Sequence, residues 1–293
     1  MWNFHWPRPW SGSSDYYQLN TNNNNDEFED IASIGKFEWM ELCGSGSFSS
    51  VYKATWTERN ITVAAKKVLS LSQKELDILK TIKNPCIINI LGVISQSPDF
   101  YIIMEYANGG NLFNYLRKLK GSKLPDDTFY QWSEHATEAV RYLGSINIAH
   151  RDIKSPNYLI TSARDLKLCD FGTAKVSNEG TSVTSHEKGS SPWMAPEMIR
   201  DKLASKKSDV YSLGIVIWEL LTGEIPYGQA DNQYQIMYLV AEKGERPLIP
   251  EDCPQLLRRL ILSCWLEDRD SRPTPQLILE RIQTKSFGPI RKS

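Results

Sequence analysis

A β-rich stretch followed by an α-rich stretch predicts an α+β protein of two lobes, with a ligand cleft between them. Two observations carry that prediction. Short apolar runs with strand character crowd residues 37–106, and helical patterns fill the chain from there to about residue 285. Length and composition agree: 293 residues, 41% hydrophobic and 24% charged, are enough for a sizeable core and typical of globular proteins.

Residues 1–36 stand apart. They hold Trp2, Trp6 and Trp10, then the run Asn22 to Asn25, then the acidic stretch DEFED. A segment this polar and irregular is expected to be a disordered leader. From Phe37, WMELCGSGSFSSVYKATW reads as strand, glycine turn, strand. ITVAAKKVL is a third strand rich in β-branched residues. QKELDILKTIK carries Leu76, Leu79 and Ile82 at helical spacing, and INILGVI and YIIMEY are two further strands. Beyond Asn108-Gly109-Gly110 the pattern is helical. In DDTFYQWSEHATEAVRYL, residues Phe129, Trp132, Ala136, Val140 and Leu143 share a face, with Asp126 or Asp127 expected to cap the start. YSLGIVIWELLTG is apolar nearly all round, which marks a buried helix, and Gly223 is expected at its C-cap. CPQLLRRLILSCW and TPQLILERIQ are amphipathic helices, and residues 286–293 read as a short tail.

Charge and cysteine usage exclude several function classes. Thirty-four basic against thirty-five acidic residues give a net charge of -1, which offers no broad electrostatic case for nucleic acid. Five scattered cysteines without a CxxC pair point away from a disulfide framework or a structural zinc and toward a reducing, cytoplasmic setting. No apolar run approaches the roughly 18 residues of a membrane span. The start MWNFHWPRPW lacks the apolar segment of a secretory signal.

The chemistry-bearing residues fall in order along the chain. GSGSFSSV, residues 44–51, is a glycine turn between strands whose backbone amides can approach phosphate oxygens. Alone it is also an ordinary hairpin connection. Val63-Ala64-Ala65-Lys66 lies on the next strand, where alternation puts Lys66 and Lys67 on opposite faces, one toward a cleft and one toward solvent. Glu75 follows on the helix, where by itself it reads as a surface carboxylate. His150-Arg151-Asp152-Ile153-Lys154-Ser155-Pro156-Asn157 is followed by Asp170-Phe171-Gly172 and then by Ala195-Pro196-Glu197.

The pattern HRDxxxxN, DFG, APE, behind a glycine loop and VAxK, resembles the protein-kinase signature over residues 37–285. The resemblance implies a bilobal kinase fold with an N-lobe of about 37–106, a C-lobe of about 107–285 and an ATP cleft between. It implies ATP and Mg2+ as cofactors. It assigns Gly44, Ser45, Gly46, Ser47, Phe48 and Ser49 to the phosphate loop, and Lys66, held by Glu75, to the α/β-phosphates. Asp152 would take the proton of the attacking hydroxyl, Lys154 would steady the transferring phosphate, and Asn157 and Asp170 would hold magnesium. Val51, Ala64 and Leu159 would wall the adenine, with Met104 as gatekeeper and Glu105, Tyr106 and Ala107 as hinge. Asp209 would brace the catalytic-loop backbone, and Arg272 would pair with Glu197. Lys154 and Ser190 imply Ser/Thr specificity. Arg151 beside Asp152 implies control by phosphorylation, with Thr181, Ser182, Thr184 and Ser185 as the phosphosite region within a hydroxyl-rich segment that begins near Ser177.

HRDIKSPN, CDFGTAK, GSSPWMAPE and LVAEKGERPLIPEDCP further resemble the tyrosine-kinase-like group, in particular ZAK-type mixed-lineage kinases. That likeness implies a MAP kinase kinase kinase that phosphorylates MAP kinase kinases and feeds the p38 and JNK stress pathways. The chain departs from the family in Ser49, which replaces the third loop glycine. No a/d heptad run is sustained over several heptads within these 293 residues, so they do not imply dimerisation through a zipper. Oligomeric state is not implied. A pseudokinase acting as a binding module, or a dual-specificity enzyme, is the alternative. Retention of Lys66, Asp152 and Asp170 argues against the first and Lys154 with Ser190 against the second. Cys169, next to Asp170, reads as a buried small hydrophobe.

Overall fold

The computed structural model describes residues 29–30, 36–45, 50–96, 99–119, 122–177, 182–183 and 190–290. Gly46, Ser47, Phe48, Ser49, Thr181, Thr184 and Ser185, and the Trp- and Asn-rich stretch, lie outside these residues. The chain divides into two compact units, 1–72 with 90–106, and 73–89 with 107–293.

The first unit is built on one sheet. β1 (Glu29–Asp30), β2 (Phe37–Ser45), β3 (Ser50–Trp56), β4 (Ile61–Val68), β5 (Ile90–Gln96) and β6 (Asp99–Glu105) lie in the order β1-β5-β6-β4-β3-β2. All neighbours are antiparallel except β1, which runs parallel to β5. The leader is therefore not structureless throughout: Glu29 and Asp30 pair with Gly92 and Val93, because the outer edge of β5 offers unpaired backbone groups. One face of the sheet is the core, formed by Phe37, Ala54, Trp56, Val63, Ala65, Ile94 and Ile103. The period-2 alternation of β4 puts Ala64 and Lys66 on the other face.

The second unit is mainly helical. Its helices are α1 (Gln73–Thr81), α2 (Leu112–Lys118), α3 (Asp126–Ser145), α4 (Pro196–Arg200), α5 (Lys206–Thr222), α6 (Gln233–Ala241), α7 (Gln255–Cys264) and α8 (Pro275–Gln283). Short strand pairs join them: β7 (Ile148–Ala149) with β10 (Lys175–Val176), β8 (Tyr158–Ile160) with β9 (Leu166–Leu168), and β11 (Ser182–Val183) with β12 (Leu203–Ala204). The expected face of α3 is buried throughout. Asp126 and Asp127 do not cap it. Pro125 is the N-cap and makes no side-chain bond, while the two carboxylates sit in the first turn, where the helix dipole favours them. Asp126 accepts instead from the backbone N–H of Ile290 at 3.0 Å. The segment read as a tail also packs: Phe287 stacks on Tyr130 at 6.2 Å, and Phe287 and Ile290 are buried. These apolar contacts, the Asp126 bond and a hydrogen bond from the Tyr130 hydroxyl to Gly288 O at 2.8 Å hold it to α3.

α5 is the centre of this unit and is buried almost all round. Ser205 closes a capping box with Ser208 at its start, and Gly223 ends it in the left-handed region at φ 71°. Its Gly214 lets α7 approach closely. A Cβ there would lie 2.6 Å from Cys264 Cβ and 2.8 Å from Trp265 Nε1. Gly214→Ala is accordingly expected to destabilise the protein by about 1–3 kcal/mol through overpacking. An unchanged denaturant midpoint would show that the two neighbours yield without cost. No helix among the described residues is long and apolar enough to cross a membrane.

Candidate active site

The loop after β7 carries His150, Arg151 and Asp152, and a 3-10 turn at Ser155–Asn157 leads into β8. Asp209, in the first turn of α5, holds the loop by its backbone. Its Oδ2 accepts from the His150 N–H and its Oδ1 from the Arg151 N–H, both at 2.8 Å. Arg151 has φ +71°, a conformation that costs a non-glycine residue energy and persists only when its surroundings impose it. The two bonds from Asp209 are such an imposition. Burial pushes the Asp209 carboxyl up to about 7, with the two N–H bonds pulling the other way. Burial likewise pushes His150 down. The hydrogen bonds fix the tautomer: Nδ1 accepts from the Asp152 N–H at 3.3 Å, which leaves Nε2 to donate to Cys169 O at 3.1 Å.

Three side chains converge on the Asp152 carboxylate and its surroundings. Lys154 Nζ is 2.6 Å from Asp152 Oδ2 and donates to Ser190 Oγ at 2.9 Å. Asn157 Nδ2 donates to Asp152 Oδ2 and to Asp152 O, each at 2.9 Å. The DFG segment is stitched to the same loop. Cys169 N–H donates to Asn157 O at 2.8 Å, Thr173 Oγ1 donates to His150 O at 2.9 Å, and the Phe171 ring meets His150 edge-on at 5.1 Å. Asp170 itself has φ +64°, a second strained backbone in the same place. Asp152, Lys154, Asn157 and the Asp170 segment thus form one hydrogen-bonded cluster. Cys169 is half-buried, and all five cysteines are free thiols.

The first unit collects its own set. Register pairs Val51 with Lys66, Lys66 with Ile102, and Ala64 with Met104, so Val51, Ala64, Lys66 and Met104 share the sheet face opposite the core. Gly44 pairs with Val51 at the end of β2, and Ser45 with Ser50. Glu105 ends β6. Lys67, on the core face, is not simply solvated: its Nζ is 2.6 Å from Asp99 Oδ2, whose hydrogen bond raises the lysine further. In the second unit, Glu75 is half-buried in the first turn of α1, above buried Ile78 and Leu79. Ala107 is half-buried, and Leu159 lies on β8 opposite Lys167. Of the phosphosite region, Ser182 is described by its backbone, which pairs with Ala204.

Behind the cluster, Glu197 and Arg272 form a bidentate pair at 2.8 Å for both bonds, and the Arg272 side chain is wholly buried. Burial alone would raise the Glu197 carboxyl. The bonds and charge of Arg272, with Ser208, outweigh it and hold Glu197 below the usual range. One carboxylate escapes the sequence reasoning. Glu219, fully buried on α5, accepts from Ser155 Oγ and Trp193 Nε1, each at 2.7 Å. A lone acid inside YSLGIVIWELLTG is the only signal of it along the chain.

Residues 37–282 match the family described as protein tyrosine and serine/threonine kinase. This chain belongs to the protein kinase family. Its mixed architecture, a mainly antiparallel sheet in one unit and helices in the other, is the protein-kinase fold. Membership implies ATP as phosphoryl donor and protein as acceptor. Among similar proteins are "Mitogen-activated protein kinase kinase kinase dlk-1" of Caenorhabditis elegans, 36% identical over 82% of this chain and 25% of that protein, and "Mitogen-activated protein kinase kinase kinase 13-B" of Xenopus laevis, 35% identical over 87% and 25%. "Mitogen-activated protein kinase kinase kinase 13" of Homo sapiens is 35% identical over 88% of this chain and 26% of its own length. The chain spans about a quarter of the length of these relatives.

Burial of Glu219 pushes its carboxyl from the ordinary 4.5 up to about 8. Between those values the folded protein holds more protons than the unfolded chain, so this group makes stability fall as pH rises from 4.5 toward about 8. Glu219→Gln, which cannot ionise, is expected to flatten that part of the Tm-versus-pH curve. An unaltered slope in the variant would show that the carboxyl titrates normally.

Proposed function

We propose that this kinase domain, over about residues 37–285, is an ATP-dependent serine/threonine protein kinase of the mixed-lineage type. It acts as a cytoplasmic MAP kinase kinase kinase that phosphorylates MAP kinase kinases of the JNK and p38 stress pathways. The observation that carries the Ser/Thr reading is Lys154 bridging Asp152 and Ser190 at 2.6 and 2.9 Å. The names of the similar proteins support the MAP kinase kinase kinase reading, and the free thiols fit a reducing compartment.

In this reading Asp152 orients the acceptor hydroxyl and takes its proton. The hydroxyl oxygen bonds to the γ-phosphorus as the bond from that phosphorus to the β–γ bridging oxygen breaks, which releases ADP. Lys154 offsets the charge on the transferring group. Lys66, paired with Glu75, holds the α/β-phosphates together with residues 44–49. Val51, Ala64 and Leu159 wall the adenine, beside Met104 and the hinge at Glu105 to Ala107. Asn157 and Asp170 are the magnesium-binding residues. The fit is chemical: both bonds of Asn157 Nδ2 go to Asp152, so its amide presents a hard carbonyl oxygen beside a carboxylate. When bound, the ion neutralises charge on the phosphates. Arg151 is the cation that a phosphate on Thr181, Ser182, Thr184 or Ser185 neutralises.

Purified protein, with an Asp170→Ala control, incubated with ATP and a panel of kinase-inactive MAP kinase kinases tests this. Phosphoserine or phosphothreonine on at least one substrate is the expected result. Phosphotyrosine alone, or no transfer to any protein including itself, would overturn it.

A further inference from the structure

The Ser155–Glu219–Trp193 bridge carries an inference that rests on the kinase reading and deepens it. Ser155 directly follows Lys154. Trp193 lies three residues after Ser190 and donates its backbone N–H to Ser190 O at 3.1 Å. The Lys154–Ser190 contact is therefore bracketed, on both of its chain segments, by side chains bound to the two oxygens of one carboxylate. The bracket is rigid. Ser155 and Glu219 are fully buried and Trp193 nearly so. Trp193 is held twice by α5, since Ser212 Oγ donates to its carbonyl at 2.7 Å, and the Phe113 ring packs edge-on against its indole at 6.2 Å. A carboxyl group taken this deep into an apolar helix costs more stability if its oxygens are left unbonded, and here both are bonded.

We propose that Glu219 is a positioning residue for phosphoryl transfer, fixing the spacing between Lys154 and Ser190 by holding Ser155 and Trp193 to one point. Glu219 touches neither nucleotide nor acceptor; it acts through the two loops. Hydrogen bonding and packing can be separated at this position. A glutamine can keep both links, accepting from Trp193 Nε1 and donating to Ser155 Oγ. A methionine fills the same space and keeps neither.

The test measures transfer from ATP to a kinase-inactive MAP kinase kinase by the full chain, with autophosphorylation read in parallel. Glu219→Met is expected to lower kcat about tenfold or more, because small misplacements of catalytic groups have effects of that order, with KM for ATP within about twofold. Glu219→Gln is expected to stay within about threefold of the parent. Ser155→Ala should lower kcat and Ser155→Thr restore it, and Ser155→Ala should add little to Glu219→Met because the two act as a unit. If Glu219→Met does not fold, the Ser155 pair and Trp193→Phe carry the same comparison. A folded Glu219→Met with more than half the parental kcat, equal losses in the Gln and Met variants, or fully multiplicative losses in the double variant would overturn the inference and leave the kinase reading standing. A parent that transfers no phosphate to any protein would overturn both.

Discussion

Asp152→Asn is expected to lower kcat by about 10²–10⁴-fold, the range that a general base contributes, while leaving KM for ATP nearly unchanged. The substitution keeps the shape of the side chain and removes its proton affinity. It also breaks the 2.6 Å ion pair with Lys154 Nζ and sets an amide against the Nδ2 of Asn157. Two effects therefore compound in the same variant, loss of the acceptor and release of the lysine. Lys154→Met separates them, because it leaves Asp152 and its bonds from Asn157 in place. Steady-state kinetics on folded protein decide the point, and an Asp152→Asn enzyme that keeps a tenth of parental kcat would remove Asp152 from the chemistry.

Removing one partner of the Glu197–Arg272 pair is expected to cost about 3–5 kcal/mol, a larger loss than overpacking at Gly214 would bring. The magnitude follows from what is left behind. In Glu197→Ala the Arg272 guanidinium stays buried, with Nε on Leu266 O at 2.9 Å and Nη1 on Lys207 O at 3.0 Å, but without its counter-charge. In Arg272→Ala a buried carboxylate loses both guanidinium bonds and its counter-charge while keeping Ser208 Oγ at 2.8 Å, and the Tyr211 ring loses the cation 5.2 Å from its centroid. For a helical unit of this size the loss corresponds to roughly 6–20 °C in Tm. The pair also makes the fold acid-sensitive. Glu197 is held below the usual carboxylate range, so its contribution is present above its unfolded value of 4.5 and is lost as pH falls through the lower folded value. Replacing both residues by apolar ones of similar size should recover much of the loss. Thermal melts of the two single variants and the double variant measure the coupling. Single variants that melt within about 2 °C of the parent would show that the pair is decorative.

Periodicity makes the elements legible. The alternation in ITVAAKKVL and the helical spacing in DDTFYQWSEHATEAVRYL report burial on one face, and burial is what a pattern of apolar residues records. The cap of α3 is not legible, because an aspartate in a first turn and an aspartate at a cap look alike in sequence and differ only in backbone angles. The pairing of Glu29 and Asp30 with β5 is hidden for a related reason. A two-residue parallel strand is held by backbone bonds, which leave no side-chain signature. Lys67 reads as solvated because a strand pattern gives a face but not what lies across it, and Asp99 lies 2.6 Å from its Nζ.

By itself the sequence determined the motifs that show the family: the order HRDIKSPN, CDFGTAK and APE, with Lys66 on a strand and Lys154 two residues past Asp152. The family resemblance already offered Asp209 as the brace of the catalytic loop; only the tertiary structure decided which bonds it makes and added a second brace, Glu219. Asp209 grips His150 and Arg151 across 59 and 58 residues, and Glu219 reaches Ser155 and Trp193 across 64 and 26. All of these bonds start from α5, a helix whose apolar pattern predicts burial but not partners. A motif is local and can be read along the chain, whereas a buried polar group is satisfied by whatever the fold brings to it.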